Sequence, residues 1–230
     1  MKRDAAALPV PGGLRSRLLA RVDASHRHER QFLTVRGGGD RLLARTGVAS
    51  SWCIPLAPGA ALPRDGAADH DELVVLAGDV LVEGRRLGCG DAVAAPSTRM
   101  QALRAGAGGA CIYLRRSRGT SCAPGFVVID TLDERGWDLF CPGVQIRELA
   151  SVGERRSVLV RMQAGANVNA HGHALEEECM MLAGEAFVGD TLLRSGDYQL
   201  APAGSRHGAI STDVGALFFV NGSLDPAAYA

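Results

Sequence analysis

The sequence lacks several features that would assign it to a common functional class. Its 25 basic and 25 acidic side chains leave no net charge, so no overall field draws the protein to DNA or to an anionic membrane. No apolar run approaches the roughly 18 residues that span a bilayer. The N-terminus, MKRDAAALPVPGG, has no apolar core typical of a signal peptide. These absences predict a cytoplasmic protein that binds neither nucleic acid nor membrane.

Cysteine and lysine are also scarce. The six cysteines form no C-x-x-C pair and no regular framework, so neither a zinc knuckle nor a disulfide scaffold is predicted. Lys2 is the only lysine. In contrast, the chain has 29 glycines and ten prolines, which suit an architecture of many short strands joined by tight turns.

Two segments in the second half carry the metal-binding chemistry. GANVNAHGHALEEECMMLAG covers residues 165–184, and GDYQLAPAGSRH covers residues 196–207. Three imidazoles and one carboxylate suit a borderline divalent metal such as Zn, Mn, Fe, Co or Ni. Because side chains alternate along a strand, the H-x-H-x-x-x-E spacing places these three on one face, with Glu176 and Glu178 on the other. A hairpin return brings the last histidine across from them. The predicted ligands are His171, His173, Glu177 and His207.

These segments resemble the two signature motifs of the cupins, small double-stranded β-helix (jelly-roll) barrels that hold one metal inside the barrel. The match includes every motif position except the last, where cupins often carry Asn and this chain has Ser211. The resemblance implies one divalent transition metal per chain, with Zn expected first and Fe, Mn, Ni or Co as alternatives. The other interpretation is a metal-free cupin that uses the histidines as a general base or as a packed polar core.

An internal repeat relates the two halves of the chain. LAGDVLVEGRRLGCGD from Leu76 aligns without a gap to LAGEAFVGDTLLRSGD from Leu182, an offset of 106 residues. Such self-similarity marks duplicated units. We therefore predict an all-β bicupin with two tandem barrels and a short N-terminal helical segment. The predicted units are a helical and linker segment over 1–28, a degenerate barrel over 29–118 and a metal-binding barrel over 119–230.

Divergence removes the metal ligands from the first half. At the same offset, the four candidate ligands fall on residues without an imidazole, namely Asp65, Ala67, Asp71 and Gln101. His70 is expected to be a solvated loop residue rather than a substitute ligand. The first barrel is therefore predicted to be a scaffold, a partner surface or a metal-free ligand pocket.

Three smaller features carry expectations of their own. The apolar residues of the segment 14–22 fall on one helical face, which predicts a short helix packed on a barrel. Cys179 shares the parity of Glu177 and is expected inside the metal-bearing barrel. It is read either as a buried apolar residue or as a thiol that a peroxide oxidises. The interior of that barrel is expected to include Met181, Phe187 and Phe219.

A narrower resemblance concerns the ChrR-type anti-sigma factors. The features that carry it are a proline followed by LRSRLLARV, then FLTVR, and a later W-x-x-x-x-x-G-V-x-x-x-x-L pattern from Trp137 to Leu149. In that bacterial family, a zinc-binding N-terminal helical domain masks a sigma factor and a C-terminal cupin senses oxidative stress. This chain lacks the N-terminal His and Cys ligands, so the resemblance implies a sensor-like cupin and leaves anti-sigma activity open.

The same branch of cupins also resembles small-molecule dioxygenases of the acetylacetone-cleaving type, which hold non-haem iron with three histidines. Two functions are therefore open: a sensory or regulatory module, and a metal-dependent dioxygenase for which no catalytic residue is assigned. The first is the leading prediction because Glu177 completes a four-ligand set. The expected partners are a small molecule or reactive oxygen species in the second barrel, a sigma factor or another protein, and a second copy of the chain.

Overall fold

The computed structural model describes residues 16–17, 19–20, 22, 32–37, 39–63, 68–119, 125–225 and 228. The residues described between 16 and 22 are helical, in agreement with the predicted N-terminal helix. Leu19 and Val22 are nevertheless 53% and 48% exposed, so the expected packing of this apolar face on a barrel is wrong for these two residues. Among the described residues, no helix is both long and apolar enough to cross a membrane. Asp65 and Ala67, the predicted substitutes for two histidines, lie outside the described ranges.

The strands of the first half and its short helix run from Leu33 to Ile129. They are β1 (Leu33–Val35), β2 (Arg41–Arg45), β3 (Ala49–Leu56), β4 (His70–Val82), β5 (Arg85–Leu87), β6 (Ala92–Pro96), α1 (Ser97–Met100), β7 (Arg104–Ser117) and β8 (Val127–Ile129). Strands β2 to β8 form one antiparallel sheet in the order β2-β3-β7-β4-β6-β8, with β5 added to β4. Fully buried aliphatic side chains such as Leu73, Val93 and Ile112 fill its interior. The interior of this barrel is therefore a packed hydrophobic core.

The second half forms a larger antiparallel sheet. Its strands are β9 (Asp138–Cys141), β10 (Val144–Val152), β11 (Arg155–Met162), β12 (Asn167–Val168), β13 (His171–Gly172), β14 (Glu177–Val188), β15 (Thr191–Arg194), β16 (Tyr198–Ala201), β17 (Arg206–His207), β18 (Ile210–Ser211) and β19 (Ala216–Gly222). The main path is β1-β16-β14-β19-β11-β10-β9, and β13 pairs with β17 as a separate ladder. The all-β fold of two jelly-roll units predicted from the sequence is confirmed.

The 106-residue repeat is also present in three dimensions. Gly78 and Gly184, which the repeat equates, both have positive φ, at 72° and 70°. A Cβ atom would lie 2.2 Å from the Gly109 carbonyl oxygen in the first case and 2.1 Å from that of Gly215 in the second. Only glycine tolerates this conformation so close to another backbone. The shared glycines therefore fix the same close strand crossing in both barrels.

The two barrels exchange one strand each. Strand β1 precedes the first barrel but pairs with β16 of the second, with Leu33 opposite Leu200. Strand β8 lies beyond the predicted boundary at 118/119 but pairs with β6 of the first barrel, with Val127 opposite Ala94. Ala94 and Leu200 are equivalent in the repeat, so the exchange is reciprocal. The boundaries at 28/29 and 118/119 stay a prediction based on the repeat, and the pairing of both exchanged strands crosses the one at 118/119.

Equivalent aspartates anchor the exchanged segments. Asp197 accepts hydrogen bonds from the Gly37 amide at 2.9 Å and from the Arg36 guanidinium at 2.7 Å, directly after β1. Asp91, its repeat equivalent, accepts hydrogen bonds from the amide and hydroxyl of Thr131 at 2.9 and 3.1 Å, shortly after β8. In each barrel, an equivalent aspartate thus accepts hydrogen bonds from the segment that follows the exchanged strand.

An apolar core joins the two barrels. It includes Tyr113 and Cys53 from the first half and Tyr198 and Phe219 from the second. Phe219 was expected inside the metal-bearing barrel, and this expectation is wrong because its strand position faces the other barrel. Phe187 is likewise not an interior residue, since it is 39% exposed. Met181 does lie in the interior of the second barrel, as predicted.

A buried polar network crosses the same interface at Glu178, which is 1% exposed. Its carboxylate accepts hydrogen bonds from the hydroxyl groups of Tyr198 and Tyr113 at 2.9 and 3.0 Å. It also accepts hydrogen bonds from Arg115 Nε at 3.0 Å and from the Ser51 hydroxyl. A buried carboxylate needs this many donors to offset its lost hydration. The residue next to a predicted metal ligand therefore ties the second barrel to the first.

The reciprocal half of the network is built from the repeat equivalents. Ser157 and Glu72 correspond to Ser51 and Glu178, and the Ser157 hydroxyl donates to Glu72 at 2.8 Å. Arg115 connects the two halves, since its NH1 lies 3.5 Å from Glu72 Oε2. The interface is therefore pseudo-symmetric in its polar contacts as well as in its strand exchange.

Candidate metal centre

The four predicted ligands converge at one end of the second barrel. His171 and His207 face each other across the β13–β17 ladder. The backbone amide of His173 donates to the Ser205 carbonyl at 2.9 Å, which fixes the chain just after β13. Glu177 is the first residue of β14. One donor atom from each of the four side chains lies within 4.8 Å of every other, so the structure brings together residues that are up to 36 positions apart in the sequence.

Each imidazole is oriented by a hydrogen bond at its Nδ1 atom. The distance is 2.8 Å in all three cases, to the Asn169 carbonyl for His171, the Ser205 hydroxyl for His173 and the Gly208 carbonyl for His207. A carbonyl oxygen only accepts, so the ring nitrogen that faces it carries the proton. The Nε2 atom then keeps its lone pair, which is how proteins prepare histidine for a metal.

The electrostatics of the site also favour a bound cation. His173 is 3% exposed, and its buried Nε2 has no hydrogen-bond partner; Glu177 Oε1 lies 3.5 Å away. Burial, together with the neighbouring His171, lowers the pKa of His173 to about 4, so the ring is neutral near pH 7. Burial raises the pKa of Glu177 to about 8. An unpaired buried nitrogen and a poorly solvated carboxyl are both costly, and a divalent ion satisfies both.

The donor set fits a transition metal in size and in kind. Metal bonds to imidazole nitrogen and carboxylate oxygen are about 2.0–2.2 Å long, so donors on opposite sides of an ion lie about 4.2 Å apart. The observed upper limit of 4.8 Å is met by side-chain shifts of a few tenths of an ångström. Three imidazoles with one carboxylate suit Zn, Fe, Mn, Co or Ni better than Ca or Mg, which prefer oxygen ligands.

Phe32 is a site residue that the sequence analysis missed. It is 3% exposed and precedes the exchanged strand β1. Its ring centroid lies 6.2 Å from that of His173 and 6.1 Å from that of His207. The sequence shows an aromatic residue before a short apolar strand. Its position beside the histidines could not be predicted, because it depends on the exchange of β1 into the second barrel. The residue just before β1 therefore contributes one wall of the candidate metal centre.

The space for Glu177 depends on a glycine at the end of β19. A Cβ atom at Gly222 would lie 2.8 Å from Glu177 Cγ and 3.1 Å from Oε2. In the first barrel, the repeat equivalent of Gly222 is Arg116, whose Nε lies 3.6 Å from Asp71, the equivalent of Glu177. In the first barrel, the Arg116 guanidinium thus lies beside the Asp71 carboxylate. In the second barrel, Gly222 leaves that space open beside Glu177.

Two of the first-barrel positions that correspond to the candidate ligands are described, and they carry an amide and a carboxylate. Gln101, at the position of His207, is exposed in the turn after α1. Asp71 also accepts a hydrogen bond from the Ser97 hydroxyl at 2.8 Å. His70 was expected to be solvated, and this is wrong: it is 3% exposed because it pairs within the sheet with Pro96 and Ser117.

Cys179 lies next to the site on β14, packed against the interior core of the second barrel. Burial raises the pKa of its thiol, and the nearby charge of Glu177 adds to the effect. Because the thiolate is the reactive form, this environment favours the apolar packing role over the oxidisable one.

Two spaces of different size adjoin the ligands. An apolar cavity of about 50 Å³ reaches His171 and Glu177 from inside the barrel. A more open and polar cleft of about 750 Å³ lies at the barrel mouth, next to His173, Arg206 and Asp225. The inner cavity has room for a few water-sized molecules, whereas only the outer cleft accommodates a larger organic molecule.

The comparisons with known proteins agree with this architecture. The family model described as "ChrR Cupin-like domain" matches residues 125–224. No curated protein sequence gives a significant match to the chain.

Several solved structures share the fold of the whole chain. A proposed glyoxylate-induced protein from Pseudomonas aeruginosa has a TM-score of 0.61 at 13% identity, over 84% of this chain and 81% of that one. A protein proposed to be a dioxygenase from Nostoc punctiforme has a TM-score of 0.57 at 18% identity, over 88% and 86%. Salicylate 1,2-dioxygenase from Pseudaminobacter salicylatoxidans has a TM-score of 0.56 at 13% identity, over 91% and 82%. Residues 125–224 are therefore similar to the ChrR cupin-like domain, and most of the chain shares its fold with these solved structures.

Proposed function

We propose that the protein is a metal-binding regulatory cupin that responds to a small molecule or a reactive oxygen species. One divalent transition metal, with Zn as the leading candidate, is held in the second barrel. The observation that carries this proposal is the convergence of four donor atoms within 4.8 Å. It is supported by the hydrogen bonds that orient all three imidazoles and by the match of residues 125–224 to the ChrR cupin-like model.

Different side chains bind the ion, shield it and orient its ligands. The three imidazoles and the Glu177 carboxylate hold the ion, and Phe32 shields two of the imidazoles from solvent. Bound there, the ion supplies Lewis acidity and a fixed template. Asn169, Ser205 and Gly208 keep the ring orientations, so the site is assembled before any signal molecule arrives.

The size of the inner cavity favours a sensory role. About 50 Å³ next to His171 and Glu177 admits a peroxide or a molecule of similar size, because a single water needs roughly 10–15 Å³ by the same measure. An aromatic acid does not fit there without displacement of the apolar lining. We infer that the signal which reaches the ion from inside the barrel is small.

The second candidate function is a metal-dependent dioxygenase acting on a small organic substrate. The observation that favours it is the cleft of about 750 Å³ that opens beside His173, which offers an organic molecule a route to the ligands from outside. The likeness to salicylate 1,2-dioxygenase shows a shared fold at 13% identity and lends this candidate modest support, because one fold hosts many functions.

Metal content and oxygen uptake test the two candidates. Protein purified without added metal is expected to contain about one transition-metal ion per chain, none in His173→Ala, and a weaker site in Glu177→Gln. His28→Ala, in the predicted linker, is the matched control and should bind metal normally. A stoichiometry near two, with an ion mapped to Asp71, would contradict the proposal.

Oxygen uptake then separates a sensor from an enzyme. Iron-loaded protein is expected not to consume O2 faster when diketones, flavonols or thiols are added. Substrate-dependent uptake that is lost in His207→Ala would establish the dioxygenase instead. A sigma factor or a second copy of the chain as partner, and the cytoplasmic location, remain predictions. Light scattering of metal-free and metal-loaded protein tests the homodimer.

A further inference from the structure

Two cysteines of the first barrel meet at the interface between the barrels. Cys53 lies on β3 and Cys111 on β7, and the register places Cys53 opposite Tyr113 and Pro55 opposite Cys111. Because side chains alternate, the two cysteines share one face of the sheet and are diagonal neighbours. Their Sγ atoms are 3.6 Å apart. Neither cysteine belongs to the metal centre, and both contribute to the core that joins the barrels.

The second barrel has no such pair. The repeat equivalents of Cys53 and Cys111 are Leu159 and Leu217, which belong to the same interface core. Leucine satisfies the packing at these positions in one barrel, so burial alone does not require two thiols in the other. The asymmetry calls for a chemical explanation of the cysteines.

The surroundings of the pair differ from those of the other described cysteines. The hydrogen bond from Cys111 lowers the pKa of Cys53 to about 6, against the opposing effect of burial, and the Gly39 backbone and the Arg41 guanidinium contribute. The same contact raises the pKa of Cys111, so the two sulfurs share one proton at neutral pH. In contrast, burial raises the pKa of Cys89 and of Cys141.

We propose that Cys53 and Cys111 are a redox-active dithiol that closes to a disulfide on reaction with a hydroperoxide. Cys53 is fully buried, whereas Cys111 is partly exposed, so Cys111 is the sulfur that meets the oxidant. A disulfide has an S–S bond of about 2.05 Å, and the sulfurs must therefore approach by about 1.6 Å from the reduced separation. Closure therefore requires side-chain rotation together with a shift of β3 against β7, because diagonal neighbours in a sheet are ordinarily farther apart than a disulfide spans.

The reaction balances with the hydroperoxide as the only added reagent. The shared proton passes to Cys53, and the Cys111 thiolate attacks one peroxide oxygen. The O–O bond breaks, Cys111 becomes a sulfenic acid, and hydroxide or alkoxide leaves and takes up a proton. Cys53 sulfur then attacks Cys111 sulfur, the S–O bond breaks, and hydroxide leaves with the Cys53 proton as water. Two thiols are oxidised, and one hydroperoxide is reduced to water and its alcohol, or to two waters when it is hydrogen peroxide.

Thiol counting on the full-length protein tests the proposal. The reduced protein, with its six cysteines, is treated with hydrogen peroxide, denatured and alkylated, and its mass and peptides are analysed. We expect two alkylation sites to be lost, a peptide that links Cys53 to Cys111, and full recovery with dithiothreitol. The two thiols should disappear at least about tenfold faster than those of Cys89 and Cys141, because the lowered pKa of Cys53 gives the pair a thiolate at neutral pH.

Variants identify the partners. Cys53→Ala and Cys111→Ala should each abolish the linked peptide, whereas Cys89→Ala and Cys141→Ala, the matched controls, should retain it. If a variant fails to fold, the linked peptide in the protein without substitutions still decides the test. Oxidation of Cys53 or Cys111 only to sulfenic or sulfinic acid without a linked peptide, or at the same rate as the controls, overturns the proposal.

Discussion

Gly222→Ala should weaken metal binding through Glu177, although residue 222 offers no ligand. The added methyl group would lie 2.8 Å from Glu177 Cγ and 3.0 Å from its Cβ, well inside ordinary van der Waals separation. Glu177 is held at the start of β14 by pairing with Ala201, so its side chain must move before its backbone does. The carboxylate then leaves the position from which it faces His173.

The magnitude follows from the size of the overlap. One methyl group forced into a filled site costs about 1–3 kcal/mol, and each 1.4 kcal/mol changes an equilibrium constant tenfold. When the metal-bound state bears most of this cost, the dissociation constant for Zn should rise about 10- to 100-fold. The effect should be smaller than that of His173→Ala, which removes a ligand outright.

Competition with a chromophoric chelator measures the dissociation constant, and thermal unfolding of the metal-free protein reports whether folding is affected. Gly108→Ala is the matched control, because a Cβ atom there meets nothing within 4 Å. Glu177→Ala supplies a second background. If Gly222 acts through the Glu177 side chain, Gly222→Ala should raise the dissociation constant less than about threefold in the Glu177→Ala protein. Such a reduced effect is what a double-mutant cycle shows for coupled neighbours.

Two outcomes would refute this reasoning. An unchanged dissociation constant in Gly222→Ala would mean that the carboxylate is not a ligand or relaxes freely. An equal loss of affinity with and without the Glu177 side chain would mean that the substitution acts on the barrel as a whole.

Three further predictions concern the orientation of His173, the polar network between the barrels and the aspartate that anchors β1. Ser205→Ala removes the hydrogen bond to His173 Nδ1, and chelator competition should show metal affinity about 10- to 100-fold lower; an unchanged affinity would contradict a positioning role. Glu178→Ala leaves Arg115 buried without its nearest carboxylate, so denaturant unfolding should show a loss of about 3–5 kcal/mol, and a loss below about 1 kcal/mol would exclude a stabilising role for the network. Burial raises the pKa of Asp197, but amide and guanidinium hydrogen bonds outweigh it and lower the pKa below its ordinary value. This carboxylate therefore stabilises the fold above its unfolded pKa and loses that contribution as the pH falls. The stability advantage over Asp197→Asn should be largest near neutral pH and shrink toward pH 3, and an advantage that is constant with pH would refute it.

The local spacing of the motifs made the ligands accessible to sequence reasoning. Alternation along a strand is a short-range rule, and it correctly separated Glu177 from its neighbour Glu178. The prediction for Phe219 failed because the other barrel packs on the face of β19 that carries this residue, and its own strand does not reveal which face is covered by which barrel. His70 was misplaced for a related reason, since its burial depends on how far β4 extends.

The amino-acid sequence by itself determined the repeat, the all-β fold and the four residues that meet at the candidate metal centre, because each depends on local periodicity and spacing. Only the tertiary structure decided that β1 and β8 change barrels, that Phe32 reaches the metal ligands, and that Cys53 meets Cys111. These contacts join residues 33 to 175 positions apart. They form because the two barrels bury a face of their sheets against each other, and no pattern within a single strand specifies which face is covered by which partner.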